Sequence, residues 1–82
     1  MSDINKTTGV VEEFVRTFEA NGAKAVDVTA RPSGDDIDVI KVWVDLGPAS
    51  VDAHDWSSAC EEAIRKSDLA AGFRVQVRAE KL

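Results

Sequence analysis

Residues 37–46, IDVIKVWVDL, form the most apolar run in the chain, and the segments on either side read as partners for it. The run is therefore read as the central strand of a small sheet. Side chains alternate faces along a strand. Ile40, Val42, Val44 and Leu46 share one parity with Asp38, while Lys41, Trp43 and Asp45 take the other. Ile37 and Val39 are out of phase with that division. Either the start of the strand is covered on both faces, or a β-bulge near Val39 and Ile40 resets the alternation, and the bulge is the favoured reading. In both cases Trp43 lies beside Lys41, on the face away from the main apolar set.

The flanking segments supply the rest of a fold. Residues 1–6 are polar and are expected to fray. Thr7 or Thr8 is the expected N-cap of a first helix, in which Val10, Val11, Phe14, Val15 and Phe18 make an apolar stripe. Glu12 and Arg16 are spaced to pair, and Asn21-Gly22 is read as the helix stop. Residues 25–31 alternate, with Val26, Val28 and Ala30 against Asp27, Thr29 and Arg31, and residues 32–36 (PSGDD) read as a turn. These features predict an antiparallel hairpin with the central strand.

After Gly47-Pro48, Asp52 is the expected N-cap of a second helix, with Asp55 in its first turn. Trp56, Ala59, Cys60, Ala63, Ile64 and Ser67 share one face, and Glu61–Arg65 and Glu62–Lys66 are spaced as ion pairs on the other. Ala70-Ala71-Gly72 is read as the helix closure. Phe73, Val75, Val77 and Ala79 then alternate with Arg74, Gln76, Arg78 and Glu80 as a third strand, parallel to the central one because a helix crosses between them. The expected fold is α+β: a two-layer α-β-β-α-β sandwich, with a three-stranded mixed sheet and both helices on one face. All 82 residues are expected to form one domain.

Composition bounds the function. The formal net charge of −5 argues against broad binding to nucleic-acid phosphates, so no direct sequence-specific nucleic-acid contact is expected. A single cysteine leaves no internal disulfide and no cysteine-based metal site. No apolar run approaches a membrane span, and no signal-peptide core opens the chain, so a soluble cytoplasmic protein is the expectation. Neither a phosphate-binding loop nor a nucleophile elbow is present, and no GxxG clamp of the kind used by KH domains. No cofactor and no enzymatic activity are expected.

The open sheet face is the leading candidate surface. Trp43 with Arg74 and Arg78 would make its contact centre and Lys41 its rim, since Trp and Arg are enriched in binding hot spots. The plainer reading is that Trp43 covers bare sheet and the arginine stems lie across it. Dimerisation through the same face is a third use. Asp52, His54 and Asp55 could bind a divalent metal, but their first reading is helix capping plus an exposed imidazole, and no metal site is expected. Cys60 reads as a buried structural thiol. Asp35, Asp36 and Asp38 at the hairpin turn, with Glu61 and Glu62 on the second helix, form an alternative acidic patch.

On this layout the chain resembles the N-terminal, KH-like domain of the ribosome maturation factor P family. The residues that carry the resemblance are Val26-Asp27-Val28, Val42-Trp43-Val44-Asp45, residues 52–60 opening the second helix, and Arg74-Val75-Gln76-Val77. The missing catalytic constellation, the acidic balance and the open sheet face lead to a non-enzymatic binding module acting through protein–protein contacts, and the resemblance implies a basic protein or ribonucleoprotein as its partner. The alternative function is a small acidic inhibitor, such as an immunity protein, antitoxin or phage-encoded blocker, that occupies the basic surface of a nucleic-acid-handling enzyme.

Overall fold

The structure is a computed structural model that describes residues 4–34, 38–70 and 72–81. Among these residues seven elements follow in the order α1 (Ile4–Thr17), β1 (Glu19–Ala20), β2 (Ala23–Lys24), β3 (Asp27–Pro32), β4 (Val39–Asp45), α2 (Ala53–Ser67) and β5 (Arg74–Glu80). The fold is α+β. Strands β3, β4 and β5 form a mixed sheet with β4 in the middle, and β1 and β2 make a separate two-stranded ladder. The β3–β4 pairing is antiparallel and the β4–β5 pairing parallel, as the connections require.

Strand β4 holds the core. Ile40, Val42, Val44 and the following Leu46 are almost fully excluded from solvent and share one cluster with residues of both helices. The cluster takes Val11 and Val15 from α1, Trp56, Cys60 and Ile64 from α2, and Val28 and Val77 from the flanking strands. Both helices therefore cover the same side of the sheet. The pairing of β4 with β5 runs without interruption from Val39 to Asp45, so the favoured bulge is not formed. Of the two out-of-phase residues Ile37 lies outside the described residues; at Val39 burial on both faces holds, since Val39 is 4% exposed and Ile40 0%, and Val39 is buried outside the main cluster.

The first helix begins earlier and ends earlier than its sequence signals imply. Ile4, Asn5 and Lys6 are helical, so neither Thr7 nor Thr8 caps it and these three residues are not frayed. Thr8 is buried inside the helix, and its hydroxyl donates to the Ile4 carbonyl at 2.6 Å. This back-bond satisfies the hydroxyl without a cap. Thr8, Val11 and Val15 form the buried face, leaving Val10 exposed. Asn21-Gly22 does not stop the helix. It is the two-residue turn between β1 and β2, with φ of 55° and 80°. Two consecutive left-handed residues suit a hairpin turn of the primed type, for which Asn-Gly is a preferred pair.

Other boundaries move for similar reasons. Val26, assigned to the inward parity of the first strand, is 67% exposed and precedes β3. Its N–H donates to the Asp45 carbonyl at 2.7 Å. Pro32, read as turn, instead closes β3. Ser33 N–H donates inward to Val39, so the neighbouring Pro32 nitrogen faces the outer edge, where no donor is needed. Helix α2 starts as expected, with the Asp52 carboxylate accepting from Asp55 N–H. It ends at Ser67, not at residues 70–72. Asp68 takes the left-handed conformation (φ 56°) and its N–H returns to Arg65 O. Ala71 lies outside the described residues. Glu12–Arg16 and Glu62–Lys66 are paired at 3.4 and 3.3 Å. The Glu61–Arg65 pair is replaced by a contact from Glu61 to the sheet.

Trp56 locks these parts together. Its indole N–H donates to the Ala23 carbonyl at 2.9 Å, and Phe18 meets its ring edge-on at 5.3 Å. The bond ties α2 to β2 across 33 residues of chain. Among the described residues no helix is long and apolar enough to cross a membrane. Replacing Trp56 with Phe is expected to cost about 1–3 kcal/mol, because the Ala23 carbonyl stays buried without its donor. Trp43→Phe, on the exposed face, should cost less than about 0.5 kcal/mol. Urea unfolding followed by far-UV circular dichroism separates the two. Equal losses would remove Trp56 from its locking role.

Candidate functional site: the uncovered sheet face

The register of the three strands arranges the uncovered face in rows. Asp27, Asp45 and Glu80 pair across β3, β4 and β5, and Thr29, Trp43 and Arg78 form the next row. Arg31, Lys41 and Gln76 follow, and Val39 with Arg74 ends the series. One end of the face is thus a line of three carboxylates, and the other end carries Arg31, Lys41 and Arg74. Trp43 sits between them.

Trp43 is 43% exposed, although its strand neighbours Val42 and Val44 are buried. The pleat explains this, since the parity that sends Val42 and Val44 into the helix layer sends Trp43 out. Shallow depressions flank the indole. One, of about 180 Å³, lies among Asp27, Thr29, Asp45, Arg78 and Glu80. The other, of about 280 Å³, lies among Lys41, Gln76 and Arg78. A large aromatic beside two concavities, ringed by both signs of charge, can anchor a polypeptide surface. Asp45 is less free than its neighbours, because its Oδ1 accepts from Gly47 N–H at 2.7 Å. That bond also fixes the turn that leaves the central strand.

The structure brings Trp43, Lys41 and Arg78 together, with Arg74 at the far end of the same face. The carboxylate row is the part that residue-by-residue reading missed. Alternation places Asp27, Asp45 and Glu80 on one face, but only strand register aligns them, and register depends on turn geometry and packing.

The alternative acidic patch is divided. Asp35 and Asp36 lie outside the described residues, while Asp38 is exposed at the start of β4. Glu62 is exposed and paired with Lys66. Glu61 turns the other way, and its carboxylate accepts from Val77 N–H at 2.8 Å on the outer side of β5.

The second-helix loop is occupied with capping. Asp52 holds the Asp55 N–H, the His54 carbonyl accepts from the Ser57 hydroxyl, and the His54 residue is exposed. Among the described residues no three His, Cys, Asp or Glu side chains gather where they could hold a metal ion. Cys60 is fully buried against the core. Burial pushes its thiol up to about 12, and the neighbouring Glu61 carboxylate adds to the effect. A thiol held protonated is a poor nucleophile.

Comparison with family models, with curated proteins and with solved structures yields no match. None of the three links the chain to the ribosome maturation factor P family, so that resemblance stays an expectation drawn from element layout and short motifs.

Because the Cys60 pKa is raised in the folded state above the ordinary thiol value of 9.0, the unfolded chain releases this proton first as pH rises. Its contribution to stability is full below pH 9 and is lost between about 9 and 12. The urea midpoint of the wild type should fall across the accessible part of that range, and Cys60→Ala should fall less steeply. Parallel curves would mean that the thiol is not held protonated.

Proposed function

We propose that this chain is a non-enzymatic binding module of the cytoplasm that acts through protein–protein contacts. The contact surface is the uncovered face of the β3–β4–β5 sheet. The observation that carries this reading is Trp43, a large apolar side chain left 43% exposed at the centre of a face that neither helix covers. Arg78 shares its row, and Lys41 and Arg74 extend the cationic end. Trp and Arg in such a setting supply most of the energy in many interfaces.

The partner is a basic protein or a ribonucleoprotein, as the resemblance to the ribosome maturation factor P domain implies. Its basic groups would meet the row of Asp27, Asp45 and Glu80, and its apolar surface would meet Trp43. Backbone phosphates or acidic side chains of the same partner suit Lys41 and Arg74. Charge at such a rim acts mainly on association rate and orientation, while the buried aromatic sets the dissociation rate.

The same carboxylate row favours a second reading, the acidic inhibitor of a nucleic-acid-handling enzyme. Three carboxylates in line across neighbouring strands could occupy a groove that normally takes phosphates.

A pull-down from lysate with wild type and Trp43→Ala, analysed by mass spectrometry, tests the proposal. Circular dichroism of the variant serves as the folding control. The expected result is a basic protein or ribonucleoprotein captured by the wild type and lost, by about tenfold or more, from the folded variant. Capture of one nuclease, retained by Trp43→Ala and lost when Asp27 and Glu80 are changed to Lys, would replace the first reading with the second. Wild-type and variant captures that do not differ for any protein would remove the uncovered face as a binding site.

A further inference from the structure

The two edges of the main sheet are treated differently. On β3 the outer edge carries Pro32, which has no donor to offer. Strand β5 has seven residues and no proline. Its hydrogen bonds fix which peptide groups face outward. Arg74 N–H donates to Asp38 O, and Glu80 O accepts from Leu46 N–H, so residues 74, 76, 78 and 80 bond inward to β4. Val75, Val77 and Ala79 therefore direct their N–H and C=O groups away from the sheet. Among the described residues, Val77 N–H alone of these is given an acceptor, the Glu61 carboxylate. Beside this edge an open groove of about 420 Å³ runs along α2, with Ile64, Ala70, Phe73 and Val75 as its apolar lining.

The sequence along that edge, RVQVRAE, is self-complementary. If a second copy of β5 lies antiparallel with Val77 opposite Val77, then Val75 faces Ala79, Gln76 faces Arg78, and Arg74 faces Glu80 at both ends. Each outward-facing residue then meets another outward-facing residue, which is the hydrogen-bonded pairing of an antiparallel ladder. The neighbouring two-fold registers that keep this match fail on charge. Centring on Gln76 sets Arg74 against Arg78, and centring on Arg78 sets that residue against itself. Neither Arg74 nor Glu80 has an ion-pair partner among the described residues.

We propose that β5 pairs antiparallel with β5 of a second copy of this chain, centred on Val77. In the pair, Arg74 of each copy meets Glu80 of the other. The Val77 N–H passes from Glu61 to the Val77 carbonyl of the second copy, and the Val75 and Ala79 groups gain partners. Glu61 thus acts as a built-in acceptor that occupies the centre of the edge in the single chain. The two-fold axis runs perpendicular to the sheet through the Val77 pair, as an isologous contact requires. The result is a six-stranded sheet in the order β3-β4-β5-β5-β4-β3. Both uncovered faces lie on the same side, so two Trp43 side chains point in one direction and a repeated partner could be held at two points.

Sedimentation equilibrium over micromolar to millimolar concentration tests this with the full chain. The wild type is expected to show a monomer–dimer equilibrium. Arg74→Glu and Glu80→Arg should each weaken the dimer by about tenfold, since each turns two attractive cross-strand pairs into two repulsive ones. The double variant carrying both changes should regain wild-type association. An equimolar mixture of the two single variants should also associate, because every cross-strand pair in the mixed dimer is again of opposite charge. Trp43→Ala should dimerise like the wild type, which separates this edge from the uncovered face. A chain that is monomeric throughout the range overturns the proposal. So does a dimer that ignores the charge swaps or dissolves with Trp43→Ala.

Discussion

The structure depends on the position of β4 between two strands. Its odd residues give their peptide groups to β3, as the Ser33-to-Val39 and Val26-to-Asp45 bonds show, and its even residues give theirs to β5. No backbone group along this strand needs water. That permits Ile40, Val42 and Val44 to be buried with no loss of hydrogen bonding. This strand, satisfied on both edges and apolar on one face, is where the two helices dock together.

Docking on one face has a cost on the other. The helices supply Val11, Val15, Trp56, Cys60 and Ile64 to a single cluster, and the side chains that alternate with the buried ones on the strands face away from both helices. Most are charged. Trp43 is the large apolar side chain left exposed among them, and its exposure follows from the same pleat that buries its neighbours. The open face and the closed core are two consequences of one alternation.

The uncovered face and the β5 edge meet in Arg74, Arg78 and Glu80, which belong to both. In the proposed β5 pair the two faces lie side by side, so the edge would set how many contact centres are offered and the face what they bind. Glu61 connects the edge to the core. It projects from the same helix turn as Cys60, raises the thiol pKa from one side and holds the Val77 N–H on the other.

The two helices, the three main strands, the parity of Trp43 and the cap at Asp52 were legible in the sequence. Each is set by local spacing, whether of apolar residues or of a carboxylate before a helix. What spacing could not decide was every choice between two local signals. Asn21-Gly22 suits a helix stop and a hairpin turn equally, and the outcome depends on Phe18 and Ala23 being drawn to Trp56 from 33 or more residues away. Glu61 is spaced for Arg65, yet the edge of β5 offers it a backbone donor that only folding brings near. Thr8 looks like a cap until the sheet buries its face of α1. The carboxylate row and the self-complementary edge belong to the same category. Alternation assigns a side chain to a face, but register assigns it neighbours, and register is fixed by packing across the whole sheet.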